Sequence, residues 1–100
     1  MSLVIDTYDL VKNVNRVEKF GLIDQIKRSC VSIPSNIAEG SSRPSIKEFQ
    51  RYLDISLGSA FELETQLILV KKLYDIESKE IFSALSILQK QIHCFKKCLK

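Results

Sequence analysis

The chain has 100 residues, 45% of them hydrophobic and 27% charged, which is typical of one globular domain, here residues 1–100. The net charge of +3 permits an anionic partner without requiring one. No apolar run approaches the roughly 18 residues that cross a bilayer, and three glycines and two prolines are too few for a fold of many short strands.

The first segment with helical periodicity extends from about Leu3 to Val14. Val4, Tyr8 and Val11 fall on one face of this predicted helix. A break follows near 18–21, where a glycine is typical of a turn.

The second segment extends from about Leu22 to Glu39. Its apolar residues recur every three or four positions, as on one helix face: Leu22, Ile26, Cys30, Ile33 and Ile37. Because this phase continues across Pro34, we expect one kinked helix, with side-chain hydrogen bonds to the freed backbone groups from Ser32, Ser35 and Asn36. Gly40 suits the position just after the helix end.

The third segment, from Ser45 to about Tyr74, has the strongest periodicity. A capping box, with Ser45 at the cap and Glu48 three residues later, predicts its start. Two interleaved series with seven-residue spacing predict a helix–helix seam. They are Ile46, Leu53, Ala60, Leu67 and Tyr74, and Phe49, Ser56, Leu63 and Val70.

The fourth segment, from about Ser78 to Leu99, repeats apolar residues every three or four positions: Ile81, Leu85, Leu88, Ile92, Phe95 and Leu99. Four amphipathic helices with short connections predict an all-α fold, an antiparallel up-down-up-down four-helix bundle.

The third segment carries more apolar residues than one seam needs. A projection at 100° per residue centres the seam on Leu53, Ser56, Leu63 and Leu67. The opposite side carries the five residues that we predict as an oligomer interface: Gly58, Phe61, Thr65, Ile68 and Leu69. An exposed apolar patch there indicates a homo-oligomer, head-to-tail if it forms a closed ring. The alternative is that the central helix of a small bundle buries two faces.

The sequence offers no convincing catalytic or metal site. Cys94 and Cys98 share a helix face beside His93, but structural zinc needs four ligands and Cys30 is distant. We therefore predict no metal, no cofactor and no enzyme activity. An odd number of cysteines without scaffold spacing, and no leader-like start, predict reduced thiols and a cytoplasmic protein with no membrane role.

Five basic residues within 25 positions form the candidate nucleic-acid surface: Lys27, Arg28, Arg43, Lys47 and Arg51. They form a stripe only if the second and third helices pack side by side. Such a stripe contacts phosphates with salt-sensitive, largely sequence-independent affinity. The alternative is that these are solvated charges offset by Asp24, Glu48 and Asp54. No aromatic residues suited to stacking on bases accompany these basic residues, so we do not expect base-specific recognition.

One series of motifs is distinctive: Ser32-Ile33-Pro34-Ser35-Asn36-Ile37-Ala38-Glu39-Gly40, Arg43, Glu48-Phe49, Tyr52-Leu53, Leu57-Gly58-Ser59 and Glu62-Leu63-Glu64-Thr65-Gln66-Leu67. With Phe20-Gly21-Leu22 and Gln25-Ile26-Lys27-Arg28 upstream, nearly the whole chain resembles the four-helix-bundle proteins of the 23S ribosomal RNA intervening-sequence family.

This resemblance implies a bundle that assembles into a homopentamer. It also implies kinship with the accessory variability proteins of diversity-generating retroelements, whose basic barrels look like partners for RNA or DNA and for a reverse transcriptase. It supplies no catalytic residues. It also suggests that Asn36, Glu39 and Gln66 are inward or interfacial polar groups that cap the kinked helix and fix the pairing register.

The function predicted from the sequence is therefore a non-enzymatic oligomeric bundle that binds nucleic acid or a ribonucleoprotein. The alternative is a structural module that binds a protein partner and has no nucleic-acid role.

Overall fold

A computed structural model describes residues 2–12 and 19–99 of the chain. Four α-helices are present in these residues: α1 (Ser2–Val11), α2 (Asp24–Ser41), α3 (Ile46–Tyr74) and α4 (Lys79–Cys98). No strand occurs in the same part of the chain. The predicted all-α fold with four helices is therefore confirmed.

The helix α3 forms as its periodicity predicts. Ser45 accepts a hydrogen bond from the Glu48 backbone amide at 3.1 Å, which is the expected N-cap contact. The helix ends at Tyr74, and Asp75 after it caps the last turn in a left-handed conformation (φ 54°). All four residues at the predicted seam centre are at most 1% exposed. Elsewhere in the two heptad series, Ile46 in the first turn is 44% exposed, and Phe49 and Tyr74 are half-buried.

The helix α2 is one continuous element with Pro34 inside it, as predicted. The Asn36 amide donates to the Ser32 backbone oxygen at 2.8 Å, and the Ser56 hydroxyl of α3 donates to the Ile33 oxygen at 2.8 Å. Both bonds go to carbonyls next to Pro34, whereas the carbonyl that the proline leaves without its backbone donor is that of Cys30, four residues earlier. Ser35 is exposed.

Two predicted boundaries differ from the structure near the start of α2. A π-helical turn (Lys19–Ile23) precedes the α-helix, so Gly21 lies inside a helical turn and does not mark a break. Glu18 and Val14 lie outside the described residues, and α1 ends at Val11.

Contacting pairs occur in opposite order along neighbouring helices. Ser29 and Ser32 of α2 contact Glu62 and Ser59 of α3, respectively. The pairing of α3 with α4 has the same order, because Gln50 contacts the end of α4 and Gln89 contacts Ala60. The order is that of antiparallel neighbours in both pairs. For α1, the up-down-up-down order stays a prediction.

The core lies between these helices and is almost entirely aliphatic. Its buried members are Val11, Ile23, Ile26, Cys30, Ile33, Leu53, Ala60, Leu63, Leu67, Val70, Ile81, Leu85 and Ile92. The molecule is 45 Å along its longest axis, about the length of a helix of 29 residues. No described helix combines the length and the apolarity that a bilayer crossing requires.

Gly40 has a different role from the one predicted. The helix α2 continues to Ser41, and Gly40 is buried with no positive φ, so it is not a cap after the helix end. A β-carbon at this position would lie 2.6 Å from the Tyr52 β-carbon and 2.9 Å from Phe49 Cδ1. Only glycine therefore allows α2 and α3 to approach this closely.

Replacing Gly40 with alanine is expected to destabilise the fold by about 1–3 kcal/mol, because a β-carbon fixed to the backbone cannot move away from Tyr52. Gly58→Ala is the matched control. In the single chain its β-carbon meets no atom within 4 Å and the residue gains helix propensity, so this variant should stabilise the monomer by up to about 1 kcal/mol. Thermal melting followed by circular dichroism measures both. A Gly40→Ala protein that melts no lower than the parent contradicts the close approach.

Candidate nucleic-acid interface and interaction surfaces

Two of the five predicted basic residues lie in one groove at the end of the bundle. Lys47 and Arg51, one turn apart on α3, line a groove of about 420 Å³ together with Lys96 of α4. We call it the basic groove. It also contains two carboxylates, and one of them, Asp54, forms an ion pair with Lys96 at 2.6 Å. Its cationic character therefore rests on Lys47 and Arg51.

The basic groove lies against the C-terminal end of α4. Gln50 donates to the backbone oxygens of Lys96 at 3.2 Å and Leu99 at 3.0 Å, and so caps this end. Cations near a helix C-terminus are stabilised by the helix dipole. Lys47 and Arg51 thus have a structural role available to them beside any role in binding.

Arg43 is occupied within its own subunit. Its guanidinium forms an ion pair with Glu39, donates to the Tyr52 hydroxyl at 2.9 Å and lies 5.0 Å from the centre of that ring. These contacts join the end of α2 to the second turn of α3. Only the remaining donors of Arg43 are free to reach a phosphate.

Lys27 and Arg28 lie far from the basic groove. The Lys27 ammonium is 5.1 Å from the centre of the Tyr8 ring of α1, and Arg28 lines a different groove, between α2 and α3. The fifteen positions from Arg28 to Arg43, most of them in α2, correspond to about 22 Å at the helical rise. The helices do pack side by side, but the five residues occupy four places and form no continuous stripe.

Lys96 is a basic residue that reasoning from the sequence did not assign to this surface. In the sequence it is 45 positions from Arg51, and only the antiparallel packing of α3 on α4 brings it to the same groove. The predicted antiparallel order places the start of α3 beside the end of α4, and this could have indicated that Lys96 belongs to the groove.

The five predicted interface residues, Gly58, Phe61, Thr65, Ile68 and Leu69, are all exposed in the single chain. The apolar members stand out, with Phe61 50%, Ile68 41% and Leu69 43% exposed. The bundle itself therefore does not bury this second face of α3, which was the alternative interpretation. We call this side of α3 the exposed ridge.

Two grooves flank the exposed ridge. The groove between α2 and α3 has a volume of about 550 Å³. Its lining residues are Gln25, Arg28, Ser29, Glu62, Thr65, Gln66 and Leu69. The groove between α3 and α4 has a volume of about 500 Å³, and its lining residues are Leu57, Phe61, Ser86, Gln89, Lys90 and His93.

The three predicted structural polar residues differ in position. Asn36 is half-buried and bonded to both the backbone oxygen and the hydroxyl of Ser32. Glu39 is exposed and paired with Arg43, so it does not point inward. Gln66 is 7% exposed, and its Oε1 atom is buried without a hydrogen-bond donor in the described part of the chain.

The thiols also differ. Cys30 is fully buried, and this burial raises the pKa of its thiol, an effect that the Thr7 hydroxyl beside it opposes. Cys94 and Cys98 are exposed on α4. Within residues 2–12 and 19–99, no three His, Cys, Asp or Glu side chains lie close enough together to hold a metal ion.

Replacing Asn36 with alanine is expected to lower the free energy of unfolding by about 1 kcal/mol, because the Ser32 oxygens lose their amide donor. Ser35→Ala, at an exposed site on the same helix, is the control. Thermal melting and the mass in solution measure the effect. Melting and mass both equal to those of the parent contradict a structural role for Asn36.

Native protein should react rapidly with a thiol-specific reagent at two cysteines only. A thiol whose pKa is raised by burial stays protonated at neutral pH, and the thiolate is the reactive form. Cys30 should therefore react only in denaturant, whereas Cys94 and Cys98 react in the folded state. Mass spectrometry of the labelled protein identifies the sites, and rapid native labelling of Cys30 contradicts the packing.

No curated protein matches the chain. The family model of the 23S rRNA-intervening sequence protein matches residues 1–96, which is nearly the whole chain and includes all four helices except the last residues of α4. Its length and the four-helix structure confirm the resemblance found in the motifs, and the chain belongs to the 23S rRNA-intervening sequence protein family.

Proposed function

We propose that this protein is a non-enzymatic oligomeric binding protein that contacts RNA or DNA through phosphates, using Lys47 and Arg51. The observation that carries the proposal is the basic groove, where these two side chains from α3 meet Lys96 of α4. Family membership supports it, since the family is described by an intervening sequence of ribosomal RNA.

The expected mode of binding is electrostatic and independent of sequence. Ammonium and guanidinium groups neutralise phosphates and release counterions, which makes affinity fall as salt rises. Glu48 and Asp54 in the same groove limit the number of phosphates that one copy can hold. Strong binding therefore requires several copies of the groove in one assembly, because linked sites raise the overall affinity.

Self-association is the second part of the proposal. The exposed ridge presents Phe61, Ile68 and Leu69 to solvent in the single chain. Several exposed apolar side chains on one side of a helix are typical of a protein–protein interface. A homopentamer is the assembly that the family resemblance implies, and we expect the mass in solution to be a multiple of the 11.5 kDa chain.

A module that binds a protein partner is the second candidate function. The observation that favours it is the local use of the basic residues: Arg43 is engaged by Glu39 and Tyr52, and Lys96 by Asp54. In this case the basic residues stabilise the bundle through these ion pairs, and the partner is a protein. The retroelement resemblance implies a reverse transcriptase as one such partner.

The double variant Lys47→Gln/Arg51→Gln tests the nucleic-acid proposal. At 50 mM salt, fluorescence anisotropy with single-stranded RNA and DNA should show about a tenfold decrease in affinity per assembly. The slope of log affinity against log salt should decrease in magnitude by about 0.7–0.9 for each phosphate that the variant no longer neutralises. Lys72→Gln/Lys79→Gln removes the same charge from exposed positions outside the basic groove.

Wild-type protein that binds neither RNA nor DNA at 50 mM salt would refute the nucleic-acid proposal and favour the protein-partner module. Equal decreases in the test and control variants would show that net charge, and not the basic groove, determines binding.

A further inference from the structure

The two grooves beside the exposed ridge carry opposite chemistry. In the α2–α3 groove, which Arg28 also lines, two acceptors lack a full set of hydrogen-bond donors. The Glu62 carboxylate is exposed and uses only one oxygen, Oε1, to accept from Ser29 at 2.8 Å. Below it, Gln66 Oε1 has no donor in the described part of the chain. Buried polar atoms in folded proteins nearly always have partners, so the donor to Gln66 Oε1 has to come from outside the single chain, from water or from another chain.

The α3–α4 groove combines exposed hydrogen-bond donors on α4 with apolar side chains on α3. Lys90 and His93 are exposed on α4, and Leu57 and Phe61 of α3 line the floor. Lys90 forms no ion pair within residues 2–12 and 19–99. Its ammonium therefore remains available for a carboxylate on another chain.

A second copy of the chain is the occupant that fits both grooves. An acceptor groove and a donor groove on the same molecule are complementary to each other, and not each to itself. Contact between two copies then joins unlike surfaces, which is head-to-tail packing. The apolar residues of the exposed ridge lie between the two grooves and become covered by the same contact.

We propose that Lys90 of one copy docks into the α2–α3 groove of the next copy and pairs with Glu62 there, covering Gln66. This inference rests on the proposed self-association and specifies its contact. The Gln66 amide turns about its terminal torsion, which is a soft rotation, and gains a donor from the docked α4 surface. Arg28 of α2 also lines this groove, but no ion pair between Arg28 and Glu62 occurs in the described residues, so the Glu62 carboxylate is not neutralised within the single chain.

Charge reversal and its rescue test the contact. Each single variant, Glu62→Lys and Lys90→Glu, places like charges face to face and is expected to dissociate the assembly to monomer at 50 mM salt. The double variant Glu62→Lys/Lys90→Glu restores opposite charges and should recover the wild-type mass. Sedimentation or light scattering at the same chain concentration measures all three proteins.

Both side chains are exposed, so the variants should fold, and circular dichroism melting verifies this. Lys97→Glu is the matched control, because it reverses an exposed charge on α4 outside the groove and should leave the mass unchanged. Thermal melting of the control and single variants should agree within a few degrees.

The outcomes separate this inference from the proposed function. A wild-type protein that is monomeric at high concentration overturns both. A wild-type oligomer whose mass survives either single reversal, or is not recovered in the folded double variant, overturns only the Glu62–Lys90 contact. If a small molecule or an unrelated protein occupies the groove instead of a second copy, the single variants keep the wild-type mass. That result also contradicts the inference.

Discussion

Near the end of α2 the backbone comes so close to α3 that a β-carbon on Gly40 would lie 2.6 Å from the Tyr52 β-carbon. This approach continues along the seam through a row of hydroxyl contacts, in which Ser56 reaches the Ile33 oxygen and Ser32 reaches Ser59. The other helices are placed by this pair. α4 packs on the same helix α3, and the exposed ridge is the side that neither α2 nor α4 covers.

The periodicity of the sequence correctly predicted the features that are determined within one helix. The seam of α3, the cap at Ser45 and the continuity of α2 through Pro34 are all local properties, and all are confirmed. Gly40 was assigned wrongly, because a glycine near a helix end has the same local signature whether it caps the helix or admits a neighbour. Only the partner helix distinguishes the two roles.

The candidate site was predicted less well, because it also depends on contacts between helices. Arg28 and Arg43 are only fifteen positions apart in the sequence, but at the helical rise this is about 22 Å, and the two residues have different surroundings. Residues far apart in sequence, such as Arg51 and Lys96, line one groove. Side-chain partners also decide which charges are free, and the pairing of Arg43 with Glu39 and Tyr52 needs the turn between α2 and α3 to be known. The motif series, by contrast, identified the family correctly, because a motif records residue identities directly.

The hydroxyl row between α2 and α3 has a mechanical consequence. Ser29 pairs with Glu62 and Ser32 with Ser59, so the polar contacts advance along both helices by the same step. Sliding one helix by a turn would move every donor past its acceptor at once, whereas a purely aliphatic seam tolerates slippage because its contacts have no direction. The α2–α3 hairpin is therefore expected to move as a rigid body. If the bundle rearranges on assembly, we expect α1 or α4 to move relative to the α2–α3 hairpin.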